Sequence, residues 1–254
     1  MKIIFLYLFA LPCFIYTTIS AQPISLLDSL KTEWIKIYNN DHTLITDHYH
    51  DGAAILFNNK MLQGKDGIVQ ILSELNILTL PITNFQTAGY FENDPGNYLE
   101  MGTYITGTDI LSYIIAWKNK SGKWKRELEI IYPRAFITTS VPESEFFDEL
   151  KKKWIEVANT NKPDDLTKQL YSENGYYFNS FNLSKGEKEI GERYGFMLNP
   201  GWKMKSLDTK IINAVKEDIV FEIGKWQMEN FAGLYTLVWK KTDDKWKILL
   251  DFNF

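Results

Sequence analysis

The chain has 254 residues, a formal net charge of −4 and an aromatic content of 15%. It contains no run of basic residues, which argues against a nucleic-acid-binding protein. Its single cysteine, Cys13, lies in an apolar N-terminal stretch, so a chain that has lost this stretch forms no disulfide bond.

The N-terminus is typical of a secretory signal peptide. Lys2 precedes an apolar run from Ile3 to Tyr16, and small or polar residues follow up to Ala21. The apolar run is short for a transmembrane helix, which needs about 20 residues. We therefore expect cleavage after Ala21, export to a periplasm or to the medium, and no stable membrane insertion afterwards. An uncleaved membrane anchor is the alternative.

The first half of the mature chain shows helical patterns followed by strand patterns. Residues 25–40 predict a helix, because apolar residues recur at spacings of three and four and Ser25 can cap its start. A short helix at 42–49, a strand at 53–57 and a third helix from Gly64 to about Leu75 are predicted next. Alternating residues then predict four strands, at 82–92, 97–107, 110–118 and 123–132.

The second half of the chain repeats the first. Early matches are displaced by 120 residues, such as Trp34 and Trp154, and later matches by 122 residues, such as Tyr113 and Tyr235. The repeat predicts helices at 144–160, 163–171 and 185–197, and strands at 175–181, 203–214, 217–228, 231–241 and 245–253. We therefore predict two domains, at residues 22–132 and 143–254, joined by a linker at 133–142. Helices followed by a strand meander indicate the α+β class.

Several segments carry a resemblance to a known superfamily. They are Trp34 and Trp154 in the first helices, Tyr49-His50-Asp51, Gly64-Lys65-x-x-Ile68, Gly102-Thr103-Tyr104, Gly224-Lys225-Trp226 and the two terminal tryptophan hairpins. With these segments the chain resembles the nuclear-transport-factor-2-like superfamily, and its SnoaL-like, polyketide-cyclase-like and calmodulin-kinase-association-domain branch in particular. The resemblance implies two tandem cone-shaped domains. In each, about three helices would pack in a strongly curved, mainly antiparallel sheet with a pocket at the wide end.

The resemblance also bears on catalysis. Enzymes of this superfamily commonly carry an aspartate on the first strand as a general base. The matching positions in this chain are Phe57 and Asn179, which cannot take up a proton as a carboxylate does. The best-understood mechanism of the superfamily is therefore not expected in either domain.

Acidic and aromatic residues that recur in both copies are the candidate site residues. Glu100 and Glu222 are candidate catalytic residues, because a carboxylate on a concave sheet face would lie in a partly dry pocket and could act as an acid or base. On a convex face they would instead be solvated. The candidate ligand-binding residues are Tyr104, Trp226, Tyr113, Tyr235, Glu129 and Asp251.

Other charged and histidine residues give weaker signals. His48 and His50 could form half of a metal site, but the second copy lacks both, and polar loop residues are the alternative. Arg193 could bind an anionic ligand or form a surface ion pair. The sequence contains no phosphate-binding loop and no Cys/His metal spacing, so we expect no metal and no cofactor.

Three functional hypotheses follow from the sequence. The first is an exported, non-catalytic tandem protein that binds a small apolar or amphipathic ligand in its cones or presents a protein-interaction surface. The second is an isomerase, cyclase or dehydratase that uses Glu100 or Glu222 as a general base. In the third, the two domains pair within one chain as a purely structural imitation of a homodimer.

Overall fold

The computed structural model describes residues 22–40, 42–78, 80–107, 109–135 and 144–254. The predicted signal peptide and most of the predicted linker lie outside these residues. Among the helices within them, none combines the length and the apolar character needed to cross a membrane.

The first domain contains two α-helices, one 3₁₀ helix and six strands in its described residues. The helices are α1 Gln22–Asn40, the 3₁₀ helix His42–His48 and α2 Gly64–Leu78. The strands are β1 Tyr49–Phe57, β2 Lys60–Gln63, β3 Ile82–Asp94, β4 Asn97–Thr106, β5 Asp109–Lys120 and β6 Lys123–Tyr132. They form one sheet in the order β2-β1-β6-β5-β4-β3, in which β1 and β6 are parallel and the other neighbours are antiparallel.

The second domain has the same order of elements. Its helices are α3 Ser144–Ala158, α4 Pro163–Leu170, α5 Gly186–Arg193 and the 3₁₀ helix Tyr194–Leu198. Its strands are β7 Tyr171–Asn179, β8 Asn182–Lys185, β9 Ser206–Lys216, β10 Ile219–Gln227, β11 Ala232–Thr242 and β12 Lys245–Asn253. They form a second sheet in the order β8-β7-β12-β11-β10-β9. The predicted α+β class, with helices packed on a mainly antiparallel sheet in each domain, is confirmed.

Several element boundaries differ from the sequence prediction. The first strand of each domain starts four residues earlier than predicted, at Tyr49 and Tyr171, because it pairs in parallel with the last strand across an irregular register. In the second domain, the third helix ends at Arg193 rather than at residue 197, because the chain tightens into a 3₁₀ helix.

The inner face of each sheet packs against the helices of its own domain. In the first domain Trp34 of α1 stacks on Tyr104 of β4, with 5.2 Å between the ring centroids. In the second domain Phe147 of α3 packs against Trp239 and Trp246, with centroid distances of 5.6 and 5.3 Å. The repeated tryptophans therefore belong to the inner cores.

The outer faces of the two sheets pack against each other. Residues of β6 such as Leu128 and Ile130 share one buried apolar cluster with Phe221 and Leu250 of the second sheet. The ring of Tyr132 meets the ring of Phe221 edge to face at 5.4 Å. These strands are therefore buried on both faces, and the charged residues within them, such as Glu129 and Glu222, are buried as well.

Candidate ligand-binding site

A glycine and a tyrosine face each other across neighbouring strands in both domains. Gly102 pairs with Tyr113, and Gly224 pairs with Tyr235. The tyrosine ring lies over the glycine so closely that a Cβ at Gly102 would come within 2.5 Å of the Tyr113 hydroxyl oxygen, and a Cβ at Gly224 would overlap the Tyr235 ring. The glycine therefore allows the tyrosine hydroxyl to reach across the inner face of the sheet.

The first-domain tyrosine donates a hydrogen bond to Glu100, which is fully buried. Tyr113 Oη lies 2.5 Å from Glu100 Oε1, and Trp117 Nε1 lies 2.9 Å from Oε2. Lys31 of α1 forms an ion pair with the same carboxylate and is also fully buried. Burial lowers the pKa of the Lys31 ammonium, and the negative charge of Glu100 opposes this shift.

The second domain repeats this network around Glu222. Lys151 Nζ lies 3.1 Å from Glu222 Oε1, Tyr235 donates at 2.8 Å and Trp239 donates to Oε2 at 2.8 Å. Both glutamates are fully buried on the inner face of their sheets, where the helices cover them. Lysine, tyrosine and tryptophan side chains therefore bind the oxygens of both carboxylates.

A second buried carboxylate lies on the last strand of each domain. In the first domain Arg126 Nη1 donates to Glu129 at 2.7 Å, and Tyr104 donates to it at 2.9 Å. Tyr49 donates to the same carboxylate. The Arg126 guanidinium lies over the Trp34 ring, 4.1 Å from its centroid. The negative charge of Glu129 is therefore compensated by Arg126 of the same domain.

The equivalent carboxylate in the second domain, Asp251, has no such cation. Ile248 occupies the place of the arginine. Tyr171 and Tyr194 donate to Asp251 Oδ2 at 2.6 and 2.5 Å, and Asn253 donates to Oδ1 at 3.0 Å. Within the described part of the chain Asp251 forms no ion pair. Burial raises the pKa of its carboxyl, although the three hydrogen bonds act in the opposite direction.

A cavity of about 400 Å³ opens beside Asp251 inside the second cone. Its wall is mainly aromatic and apolar, with Trp154, Tyr177, Tyr194, Phe196, Met197, Trp202, Met204, Leu207, Trp226, Met228, Tyr235, Leu237 and Phe254. Asn179, Asn253 and the exposed Arg193 add polar groups. The cavity can therefore hold a mainly apolar molecule that carries a polar group.

The corresponding space in the first cone is filled by side chains. Helix α2 has 15 residues, and its Ile71, Leu72 and Leu75 are fully buried in the inner core. Helix α5 of the second domain has only 8 residues. Phe57 fills the inner core of the first domain at the position where the second has Asn179. A shorter helix and smaller or more polar side chains thus leave the second cone open.

The solved structures that resemble this chain include nuclear-transport-factor-2-like and ketosteroid-isomerase-like proteins. An NTF-2-like protein from Shewanella oneidensis MR-1 has 20% identity and a TM-score of 0.39 over 44% of this chain and 98% of its own. A calcium/calmodulin-dependent protein kinase II association domain from Xanthomonas campestris has 17% identity and a TM-score of 0.36, with 47% and 91% covered. A ketosteroid-isomerase-like protein from Erwinia carotovora atroseptica has 9% identity and a TM-score of 0.38, with 46% and 99% covered.

These similarities say nothing about an activity or a ligand of this chain, because the identities and scores are low. No protein-family model matches the chain. No curated protein matches it either.

The structure separates the candidate ligand-binding residues by domain. Trp226, Tyr235 and Asp251 line the cavity of the second cone. Their first-domain counterparts are buried in the packed interior, where they contact residues of the same domain; these are Tyr104, Tyr113 and Glu129. Glu222 contacts Tyr235 but does not itself belong to the cavity wall.

Sequence reasoning missed several residues of the cavity wall. Tyr194 and Trp202, which follow the short helix α5, are not among the residues that the repeat marks as candidates, and Arg193 is predicted only as an anion-binding or surface residue. A signal was present, because the residues aligned with Arg193 and Tyr194 in the first copy are Ile71 and Leu72. A polar replacement at two buried apolar positions of a repeat indicates a changed environment.

The histidine cluster lies away from the cavity. A ring nitrogen of His50 is 3.0 Å from the carbonyl oxygen of Lys118, and its ring meets Phe181 of the second domain edge to face. Among the described residues no group of three His, Cys, Asp or Glu side chains converges as a metal site would require. His50 thus contributes to packing between the domains.

Proposed function

We propose that the protein is an exported, non-catalytic binding protein whose second domain holds a small apolar or amphipathic molecule. The proposal rests on the difference between the two cones. The first is packed with its own side chains, whereas the second contains an aromatic-lined cavity of about 400 Å³. This volume is within the usual range for small-molecule sites. The first domain then acts as a scaffold.

The lining of the cavity supports an amphipathic ligand. Aromatic rings and methionine side chains can cover an apolar body of variable shape. The amide side chains of Asn179 and Asn253 in the cavity wall can bind a polar group of the ligand.

The same site gives little support to the alternative of an isomerase, cyclase or dehydratase. Asn179 stands where the superfamily's enzymes commonly have an aspartate, and it donates its side-chain N–H to the backbone oxygen of Asn253 at 3.0 Å. Glu222 is held by Lys151. The site therefore favours binding over proton abstraction.

The uncharged dye N-phenylnaphthylamine tests the proposal, because its fluorescence rises in an apolar site. Asn179→Phe and Leu207→Phe each place in the second domain the residue that the first domain has, which are Phe57 and Phe85. We expect dye binding to the unmodified chain and at least about tenfold weaker binding to either variant, because the cavity is filled. Lys188→Gln is the control, since the Lys188 side chain is 90% exposed on helix α5 and does not line the cavity. No saturable dye binding to the unmodified chain would refute the proposal.

We further propose that the two domains pair within one chain. The continuous apolar cluster between the outer sheet faces supports this, since such a face left open would favour association between chains. Sedimentation equilibrium should give the mass of a single chain at every concentration. A mass that rises with concentration toward a dimer would contradict the pairing.

A further inference from the structure

The first domain contains a buried cation inside an aromatic cradle. The Arg126 guanidinium carbon lies 4.1 Å from the ring centroid of Trp34, 5.3 Å from that of Trp117 and 5.5 Å from that of Tyr49. Its Nη1 donates to Glu129, whereas its Nε and Nη2 have no hydrogen-bond partner in the described part of the chain. Aromatic faces and one carboxylate thus hold this cation.

The second domain keeps the cradle and lacks the cation. Trp154, Trp239, Tyr171 and Asp251 stand at the four corresponding positions, 120 or 122 residues later in the chain. Trp154 Nε1 lies 3.4 Å from the Tyr171 hydroxyl, which in turn donates to Asp251 at 2.6 Å. The same contacts join their counterparts in the first domain. Ile248 replaces the arginine, so the buried carboxyl has lost its partner of opposite charge.

Asp251 can accept a further interaction from the cavity. It is 3% exposed and belongs to the cavity wall. Its Oδ2 accepts two hydrogen bonds, but its Oδ1 accepts only the one from Asn253, and each carboxylate oxygen can accept two. Because a buried carboxylate without a cation is unfavourable, a positively charged group at this place would gain strongly from it.

We propose that the cavity of the second domain takes an organic cation, namely an amine or a quaternary ammonium group carried on an apolar body. The charged group would lie against Asp251 and the rings of Trp154 and Tyr194, and the apolar body would fill the rest of the aromatic wall. This inference rests on the proposed binding function and specifies the chemical class of the ligand.

Arg193 is the residue that would favour an anionic ligand instead of a cationic one. It lies in the cavity wall and, among the described residues, forms no ion pair. Its side chain is exposed, however, so water and salt screen its charge. The charge of Asp251 acts in a buried site, where electrostatic interactions are stronger. The geometry therefore favours the cation.

Three ligands of similar size and different charge test the inference at about neutral pH: phenethylamine, phenethyl alcohol and hydrocinnamate. Their affinities are measured by displacement of N-phenylnaphthylamine and by calorimetry. We expect the amine to bind at least about tenfold more tightly than the alcohol, and the carboxylate to bind most weakly. Asp251→Asn should remove the preference for the amine while the alcohol binds within about twofold of its original affinity. Asp244→Asn makes the same change of charge at a residue whose side chain is 95% exposed and should leave the preference intact.

The outcomes distinguish this inference from the binding function on which it rests. Equal affinity for the amine and the alcohol, or tighter binding of the carboxylate, would overturn the inference while binding itself stands. A preference for the amine that persists in Asp251→Asn would also overturn it. Failure of the dye and of all three ligands to bind would overturn both proposals. If the variant does not fold, the three affinities of the unmodified chain decide the question of charge.

Discussion

The substitution Asp251→Asn is expected to stabilise the protein at neutral pH. Asp251 is a buried carboxyl that has no cation partner among the described residues, and burial raises its pKa in the folded state. An asparagine has nearly the same shape, and its amide oxygen can accept the bonds from Tyr171 and Tyr194. The amide of Asn253 can rotate to accept from the new N–H. The substitution thus removes a buried charge and keeps the contacts.

The sign and size of the effect follow from proton binding. Because the pKa of Asp251 is higher in the folded than in the unfolded chain, the folded chain holds the extra proton between the two values. This proton stabilises the folded chain fully below the unfolded pKa of Asp251, and the stabilisation is lost as the pH rises through the folded pKa. The loss is at most about 1.4 kcal/mol per pH unit for a single group. The Asp251→Asn variant has no such loss. Its free energy of unfolding, relative to that of the unmodified chain, should therefore rise with pH and then level off.

Urea denaturation of both proteins across the range from acid to neutral pH measures this difference. Other groups titrate equally in the two chains and cancel in the comparison. A difference in unfolding free energy that is constant with pH, or that shrinks as the pH rises, would refute the reasoning.

Glu129→Gln is the matched control in the first domain. It removes the charge that Arg126 pairs with at 2.7 Å. Because this leaves a buried guanidinium without a carboxylate, we expect a loss of about 3–5 kcal/mol. The same chemical change should therefore have opposite effects in the two domains.

Three further changes test the cores. Lys31→Met should cost about 3–5 kcal/mol of unfolding free energy, because it leaves Glu100 buried and unpaired; the double variant that adds Glu100→Gln should lose less in urea titrations. Gly224→Ala should cost about 1–3 kcal/mol and weaken dye binding, because the new Cβ displaces the Tyr235 ring from the cavity wall; unchanged dye affinity would contradict this. Phe221→Ala, at the contact between the sheets, should cost about 3–5 kcal/mol and lower a shared thermal transition, whereas a separate early transition of one domain would argue against a common core.

Local sequence patterns predicted most of the elements. Helix α1 and the hairpins β3–β4 and β5–β6 lie within a few residues of their predicted bounds, because their apolar spacing and turn residues act over short stretches of chain. The early start of β1 was not predictable in this way. Its first residues pair with β6, more than 70 residues away, and no local pattern contains that partner.

The partners of the acidic candidates were also hidden from the sequence. Glu100 and Glu222 were recognised as shared positions of the two copies, yet the lysines that neutralise them come from distant helices. Lys31 precedes Glu100 by 69 residues. Whether a strand carboxylate is free or paired depends on which helix the folded chain places over it.

The sequence by itself determined that the same α+β fold is built twice, because glycines, tryptophans and apolar spacing recur at a nearly constant distance along the chain. Only the tertiary structure decided that the two cones differ. In the first, α2 and Arg126 fill the interior; in the second, α5 ends at Arg193 and a cavity opens beside Asp251. The physical reason is that a cavity is the space left by side chains from many separate elements, and no single stretch of sequence sets its volume or its charge balance.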